Sequence, residues 1–170
     1  MGIHRLNHAV LFVRDLSATV SFYEEVLGFR IVNEIPGRAA FLQAQNSTND
    51  HDLGLFQVGP DAGPSGAGRT TVGLYHLAWE VDTLEDLARA GEALSSHGAL
   101  VGTTDHGATK SVYGRDPNGI EFEIVWLVPA DQLTEEILEA RMELKPLDLA
   151  KERERYGSTT RGGVGVSRPA

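Results

Sequence analysis

The sequence predicts an α+β protein made of two β-α-β-β-β modules and a C-terminal helical extension. Three features support this: a strand, a capped helix and three short strands occur in that order twice; a Gly- and Pro-rich stretch separates the copies; and helical periodicity takes over after Pro129. The corresponding boundaries are 1–58 for the first module, 59–73 for a flexible linker, 74–128 for the second module, 129–155 for C-terminal helices and 156–170 for a loose tail.

In the first module, R-L-N-H-A-V-L-F-V (5–13) reads as a strand with Leu6, His8, Val10 and Phe12 on one face. Asp15 stands where an N-cap belongs, Leu16, Val20, Tyr23 and Leu27 recur at helical spacing, and Gly28 stops the helix. Strands are expected at 29–34, 39–44 and 52–58. G-P-D-A-G-P-S-G-A-G-R-T-T-V-G (59–73) is too rich in Gly, Pro and small residues for regular structure. The pattern then restarts. L-Y-H-L-A-W-E-V (74–81) matches the first strand, with His76 in the place of His8; Thr83 and Asp86 form a capping box for a helix that His97-Gly98 ends. Strands follow at 100–103, 111–114 and 120–127. Before the last of these, Asp116-Pro117-Asn118-Gly119 places proline at the second position of a turn and Asn-Gly after it, reversing the chain. Beyond Pro129, 131–145 reads as one amphipathic helix ended by Pro146, and a second short helix is expected over 147–155.

At 170 residues the chain is long enough to bury a substantial core. It has no cysteine, which excludes disulfides, thiolate metal sites and cysteine nucleophiles, so any metal must be held by nitrogen and oxygen. A net charge of -9 argues against nucleic acid, because binding phosphates needs clustered Lys and Arg. The apolar run near the N-terminus is too short for a signal peptide or a membrane span, and Leu6 stands where a myristoylation signal needs Ser or Thr. A soluble, cytoplasmic protein without a membrane partner is expected. The amphipathic C-terminal segment is expected to support a homo-oligomer.

The chemistry is expected around the last strand of the second module. Phe122, Ile124 and Trp126 alternate with Glu121, Glu123 and Val125, so one face is apolar and the other carries two acids. A carboxylate facing a sheet interior needs a cation or a donor to offset its desolvation; on a half-exposed sheet both acids would simply face water. His8 and His76 occupy equivalent places on the first strands of equivalent modules. Two imidazoles and the Glu123 carboxylate on one side of an octahedral ion make the facial triad of non-haem Fe(II) oxygenases, with three positions left open for a vicinal pair of oxygens and dioxygen.

L-N-H-A-V-L-F-V-R-D-L with F-Y-E-E-V-L-G-F in the first module, Y-H-L-A-W-E-V in the second and D-P-N-G-I-E-F-E-I at its end resemble the vicinal-oxygen-chelate superfamily, which includes glyoxalases, extradiol ring-cleaving dioxygenases and bleomycin-resistance proteins. The resemblance spans about residues 4–128. It implies modules paired into a half-open barrel and metal ligands at His8, His76 and Glu123, with Glu121 at the polar rim. N-D-H-D-L-G-L around His51 and D-H-G-A-T-K-S-V-Y-G around Tyr113 resemble the extradiol branch, nearest its single-domain catechol enzymes. That likeness implies Fe(II), with Mn(II) as a second candidate, and a catecholic substrate with O2. It also implies His51 as acid and base near the oxygen site and Tyr113, ten residues before Glu123, as hydrogen-bond donor to a catechol oxygen. His106 matches a pocket histidine of the same branch. Here the chain has Asp50-His51 where the family often has two adjacent histidines.

Two other branches of the superfamily are alternatives. Glyoxalase-like isomerases and lyases add a fourth ligand, a glutamate from the last strand of the first module; this chain has D-L-G-L-F-Q-V there, with only Asp52 or Gln57 to stand in. Metal-free antibiotic-binding members need no triad, so the set His8, His76 and Glu123 argues against that branch.

Overall fold

In the computed structural model, which describes residues 2–3, 5–68 and 70–163, the chain divides into two units, Met1–Gly66 with Asp116–Gly119 and Ala67–Arg115 with Ile120–Ala170. The first unit runs β1 (Ala9–Val13), α1 (Leu16–Leu27), β2 (Arg30–Ile35), β3 (Ala39–Gln43) and β4 (Leu53–Gln57). Its sheet order is β1-β4-β3-β2, with β1 parallel to β4 and the other pairs antiparallel. Helix α1 has the predicted ends: the Asp15 carboxylate accepts from Ala18 N at 3.0 Å, and Gly28 closes the helix at φ +68°, a conformation that suits a residue without Cβ. The helix contacts β3 and β4 and buries Leu16, Val20, Tyr23 and Val26, while Leu42, Leu53 and Leu55 of those strands are fully buried.

The second unit repeats this plan with β5 (His76–Glu80), α2 (Leu84–Ser96), β6 (Leu100–Asp105), β7 (Thr109–Arg115) and β8 (Glu121–Leu127), in the order β5-β8-β7-β6 with β5 parallel to β8. Thr83 caps α2, accepting from Asp86 N at 3.1 Å. Even the irregularities repeat, since the register slips between Ile31 and Asn33 of β2 and between Leu100 and Gly102 of β6. The α+β class, the two β-α-β-β-β patterns and the C-terminal helices are present as predicted, and each four-stranded sheet is open. Strand β8 also alternates as expected: Phe122, Ile124 and Trp126 are buried, whereas Glu121, Glu123 and Val125 lie on the other face.

The Asp116–Gly119 turn belongs to the first unit although β7 and β8 flank it. Gly119 N donates to Asp116 O at 2.9 Å, and Asn118 holds the start of α1 by accepting from Arg14 N at 2.9 Å and donating to Thr19 Oγ1 at 3.1 Å.

Three expectations need correction. Strand β1 begins at Ala9, so His8 lies just ahead of it, and the face shared by Leu6, Val10 and Phe12 is exposed, Phe12 by 73%. Leu11 and Val13 enter the core instead; a run apolar at every position does not choose its own face. The single helix over 131–145 is two 3-10 turns, Ala130–Gln132 and Ala140–Met142, around a short α3 (Glu135–Glu139). Leu133 is extended, Thr134 caps α3 afresh, and Glu143 is extended again before Lys145 bridges to Asp105. Helix α4 (Leu149–Tyr156) follows. Finally, of the tail expected to be loose, residues up to 163 are tied to the second unit: Trp126 Nε1 donates to Thr160 O at 3.3 Å and Gly162 N to Asp82 O at 2.8 Å, whereas residues 164–170 lie outside the described residues. No helix among the described residues is long and apolar enough to cross a membrane.

Candidate metal centre

Antiparallel pairing of β7 with β8 sets Tyr113 directly opposite Glu123, and parallel pairing of β5 with β8 brings His76 alongside. The two oxygens of the Glu123 carboxylate consequently have different neighbours. Oε1 accepts from the Tyr113 hydroxyl at 3.1 Å, and Oε2 stands 3.3 Å from His76 Nε2. His106, in the bend after β6, places its Nε2 3.1 Å from the same hydroxyl. With Tyr113 donating to Glu123, His106 is the donor to Tyr113, a tautomer assigned from the network. Burial, reinforced by the Glu123 charge, pushes the Tyr113 phenol up to about 12, so it remains a protonated donor through the neutral range.

These four side chains line a cavity of about 480 Å³ with Ala108, Thr109 and Arg141. The Glu123 side chain is only 14% exposed, and among the described residues no Lys or Arg pairs with it. A carboxylate so placed needs a positive partner, and His76 supplies one only if protonated. His76 Nδ1 is itself buried and without a hydrogen bond. A divalent cation fits this donor set: nitrogen and oxygen ligands each about 2.0–2.2 Å from one ion, at adjacent positions, stand close to 3 Å from each other. With such an ion bound, the Tyr113 hydroxyl would be the outer hydrogen-bond partner that orients the carboxylate.

In the first unit the rings of His8 and His51 lie 4.4 Å apart, and Phe41 packs edge-on to His51 at 5.2 Å. His8 Nδ1 meets Asn7 Oδ1 at 2.7 Å, so Nε2 is the ring nitrogen left outside that contact. His51 Nδ1 meets Asp50 Oδ2 at 2.8 Å. The sequence-predicted residues therefore fall into two groups, His8 with His51 and His76 with Glu123, Tyr113 and His106. Among the described residues no three His, Asp or Glu side chains form one metal-binding cluster. Glu121, expected at the polar rim, pairs with Arg115 at 3.1 Å.

A family model described as the Glyoxalase/Bleomycin resistance protein/Dioxygenase superfamily matches residues 5–124. The chain belongs to this superfamily. Among curated members it is 32% identical over 124 residues to virulence protein STM3117 of Salmonella typhimurium, covering 73% of this chain and 85% of that one. It is 37% identical over 126 residues to biphenyl-2,3-diol 1,2-dioxygenase 3 of Rhodococcus globerulus, covering 71% of this chain but only 62% of the relative. The solved structure of a glyoxylase/bleomycin resistance protein/dioxygenase domain from Frankia sp. EAN1pec shares the fold, with a TM-score of 0.62, 23% identity, and coverage of 73% of this chain and 92% of that one.

Within the superfamily, the two side chains that would stand in for a fourth, isomerase-type ligand are engaged elsewhere. The buried Asp52 carboxylate accepts from Ala44 N, Ser47 Oγ and Asn49 Nδ2 at 2.7–2.8 Å, and Gln57 Oε1 accepts from Leu16 N at 3.1 Å. Sequence reasoning missed Thr109 and Arg141 in the cavity wall. Thr109 opens β7 earlier than the strand expected from 111, and Arg141 sits in a 3-10 turn where a continuous helix was expected, so neither carried a positional signal.

Proposed function

We propose that the protein is a metal-dependent extradiol dioxygenase that cleaves a catechol-type substrate with O2, using Fe(II) held by His8, His76 and Glu123. The observation that carries the reading is the His76 Nε2 to Glu123 Oε2 approach of 3.3 Å inside a cavity walled by Tyr113 and His106. Similarity to a biphenyl-2,3-diol dioxygenase supports the substrate class. The ion, when bound, supplies Lewis acidity that lowers the pKa of a chelated hydroxyl and the redox chemistry that dioxygen requires; Mn(II) accepts the same ligands.

The chain's own residues divide the remaining work. Tyr113 fixes the Glu123 carboxylate and keeps a protonated hydroxyl at the cavity wall, where it stabilises charge developing on a substrate oxygen. His106, hydrogen-bonded to that hydroxyl, sets its direction. His51, its ring 4.4 Å from that of His8 and tilted to it, is the base that takes the second diol proton and returns it as the ring opens, because a neutral imidazole nitrogen accepts a proton and the resulting imidazolium gives it back. Both oxygen atoms of O2 enter the product, and the carbon–carbon bond beside the diol breaks.

The test is oxygen uptake, with ultraviolet-visible detection of a yellow ring-opened product, by protein reconstituted anaerobically with Fe(II) and given a panel of catechols. Uptake that chelation abolishes, and that His51→Ala loses while still binding iron, is the expected result. Stoichiometric metal binding without uptake on any catechol overturns the reading.

A further inference from the structure

Arg141 stands in the cavity wall with the four residues of the candidate centre, and the way it is held there is specific. Two anchors on either side fix its backbone. On one side, Gly107 lets the loop after β6 approach so closely that an added Cβ would lie 2.6 Å from Ile137 O and 2.9 Å from Ala140 Cβ; with φ at +71°, glycine is required twice over. On the other, Asp105 and Lys145 exchange backbone hydrogen bonds, Asp105 N to Lys145 O at 2.8 Å and Lys145 N to Asp105 O at 3.1 Å. The loop that presents His106 thus also clamps the turn that presents Arg141.

Arg141 is exposed, and its guanidinium opens onto the cavity without being tied to a carboxylate of its own segment. Among the described residues Arg141 makes no ion pair and no hydrogen bond, although acidic residues crowd its segment; Glu143, two positions on, pairs with Lys145 instead. In a chain with 24 acidic residues against 15 Lys and Arg, a solvent-facing cation at a cavity wall that makes no ion pair among the described residues is available to a ligand. Guanidinium groups bind carboxylates through two parallel hydrogen bonds, and a cavity of about 480 Å³ has room for a small ring bearing a side group.

We infer that the substrate carries a carboxylate in addition to its diol, and that Arg141 is the specificity-determining residue that binds it. The inference rests on the diol reading of this cavity, and extends it to a substituted, anionic catechol. Arg141 takes no part in the chemical step; it orients the ring through the group farthest from the reacting carbons.

The experiment uses two probes that share the diol and differ in the carboxylate, 3,4-dihydroxyphenylacetate and 4-methylcatechol. Their anaerobic binding to metal-loaded full-length wild type, Arg141→Met and Arg141→Lys is measured by titration calorimetry, and oxygen uptake is recorded separately. Wild type is expected to prefer the acid by about tenfold or more, the size of one charged hydrogen-bonding contact, with the preference abolished in Arg141→Met and partly restored in Arg141→Lys. An acid-to-neutral ratio that is the same in wild type and Arg141→Met overturns the inference, as does failure of wild type to bind the acid. A preference that follows Arg141 without oxygen uptake from either probe leaves the anion subsite standing and removes the dioxygenase reading alone.

Discussion

Tyr113 touches both His106 and Glu123, so its substitution reads the candidate centre more finely than loss of a ligand does. Tyr113→Phe keeps the ring and removes the hydroxyl. Glu123 retains its place opposite His76, so iron stoichiometry is expected to hold, while kcat/KM on the best catechol falls about 100-fold, as when one donor to a developing oxyanion is removed. In the metal-free protein burial and Glu123 push the phenol up to about 12, so a spectroscopic titration of that form is expected to show Tyr113 still protonated at pH 10; a tyrosinate signal near the ordinary tyrosine value that is present in wild type and absent from Tyr113→Phe would contradict the assignment. This much was partly legible in the sequence. The alternation of β8 placed Glu123 on the polar face, and the repeat paired His8 with His76 by position. The Tyr113 to Glu123 bond was not legible, since it depends on the register of β7 against β8, which the ten-residue spacing does not fix.

At the level of elements, α4 is attached through a buried cation. Lys110 of β7 is 1% exposed, with Nζ 2.5 Å from Asp105 Oδ1 and 3.1 Å from Glu152 Oε2 of α4. Tyr156 of the same helix packs on Trp126 at 5.4 Å. Lys110→Met fills the space but leaves two carboxylates facing each other in a poorly solvated site, an arrangement that costs about 3 kcal/mol or more. Chemical denaturation should show that loss, and adding Glu152→Leu should recover much of it, because replacing both partners removes the stranded charge. Full stability of the single variant would mean that α4 is held by its apolar side chains and by Arg153 on Glu85. The elements also show where sequence reasoning works and where it stops. Helix α1 was readable to the residue, because Asp15 and Gly28 act on the helix they bound. The segment after Pro129 was not, because the contacts that break it, Gly107 beneath Ile137 and Asp105 beside Lys145, come from a loop about 30–40 residues earlier, and periodicity carries no trace of a distant partner.

For the whole molecule, the proposed ligand set makes metal binding depend on His8 as well as on His76 and Glu123. His8 belongs to the first unit and His76 with Glu123 to the second. A ligand that binds only the native state stabilises it by about 2.7 kcal/mol at 100 times its dissociation constant. For a chain of this size each kcal/mol moves the midpoint by about 2–4 °C, so loading with Fe(II) or Mn(II) under anaerobic conditions is expected to raise Tm by about 5–11 °C. The pattern across variants carries the argument. Glu121→Ala should keep the whole shift, since Glu121 is turned to Arg115, whereas Glu123→Ala and His8→Ala should each abolish it. The two losses mean different things. Glu123 already stands beside His76, so its removal would eliminate the ion under any reading of the second unit. His8 has no such neighbour to explain its effect, so loss of the thermal shift when His8 is replaced tests the third proposed ligand by itself. If His8→Ala retains the shift in calorimetry while Glu123→Ala loses it, the ion is held within the second unit alone and the facial triad is wrong.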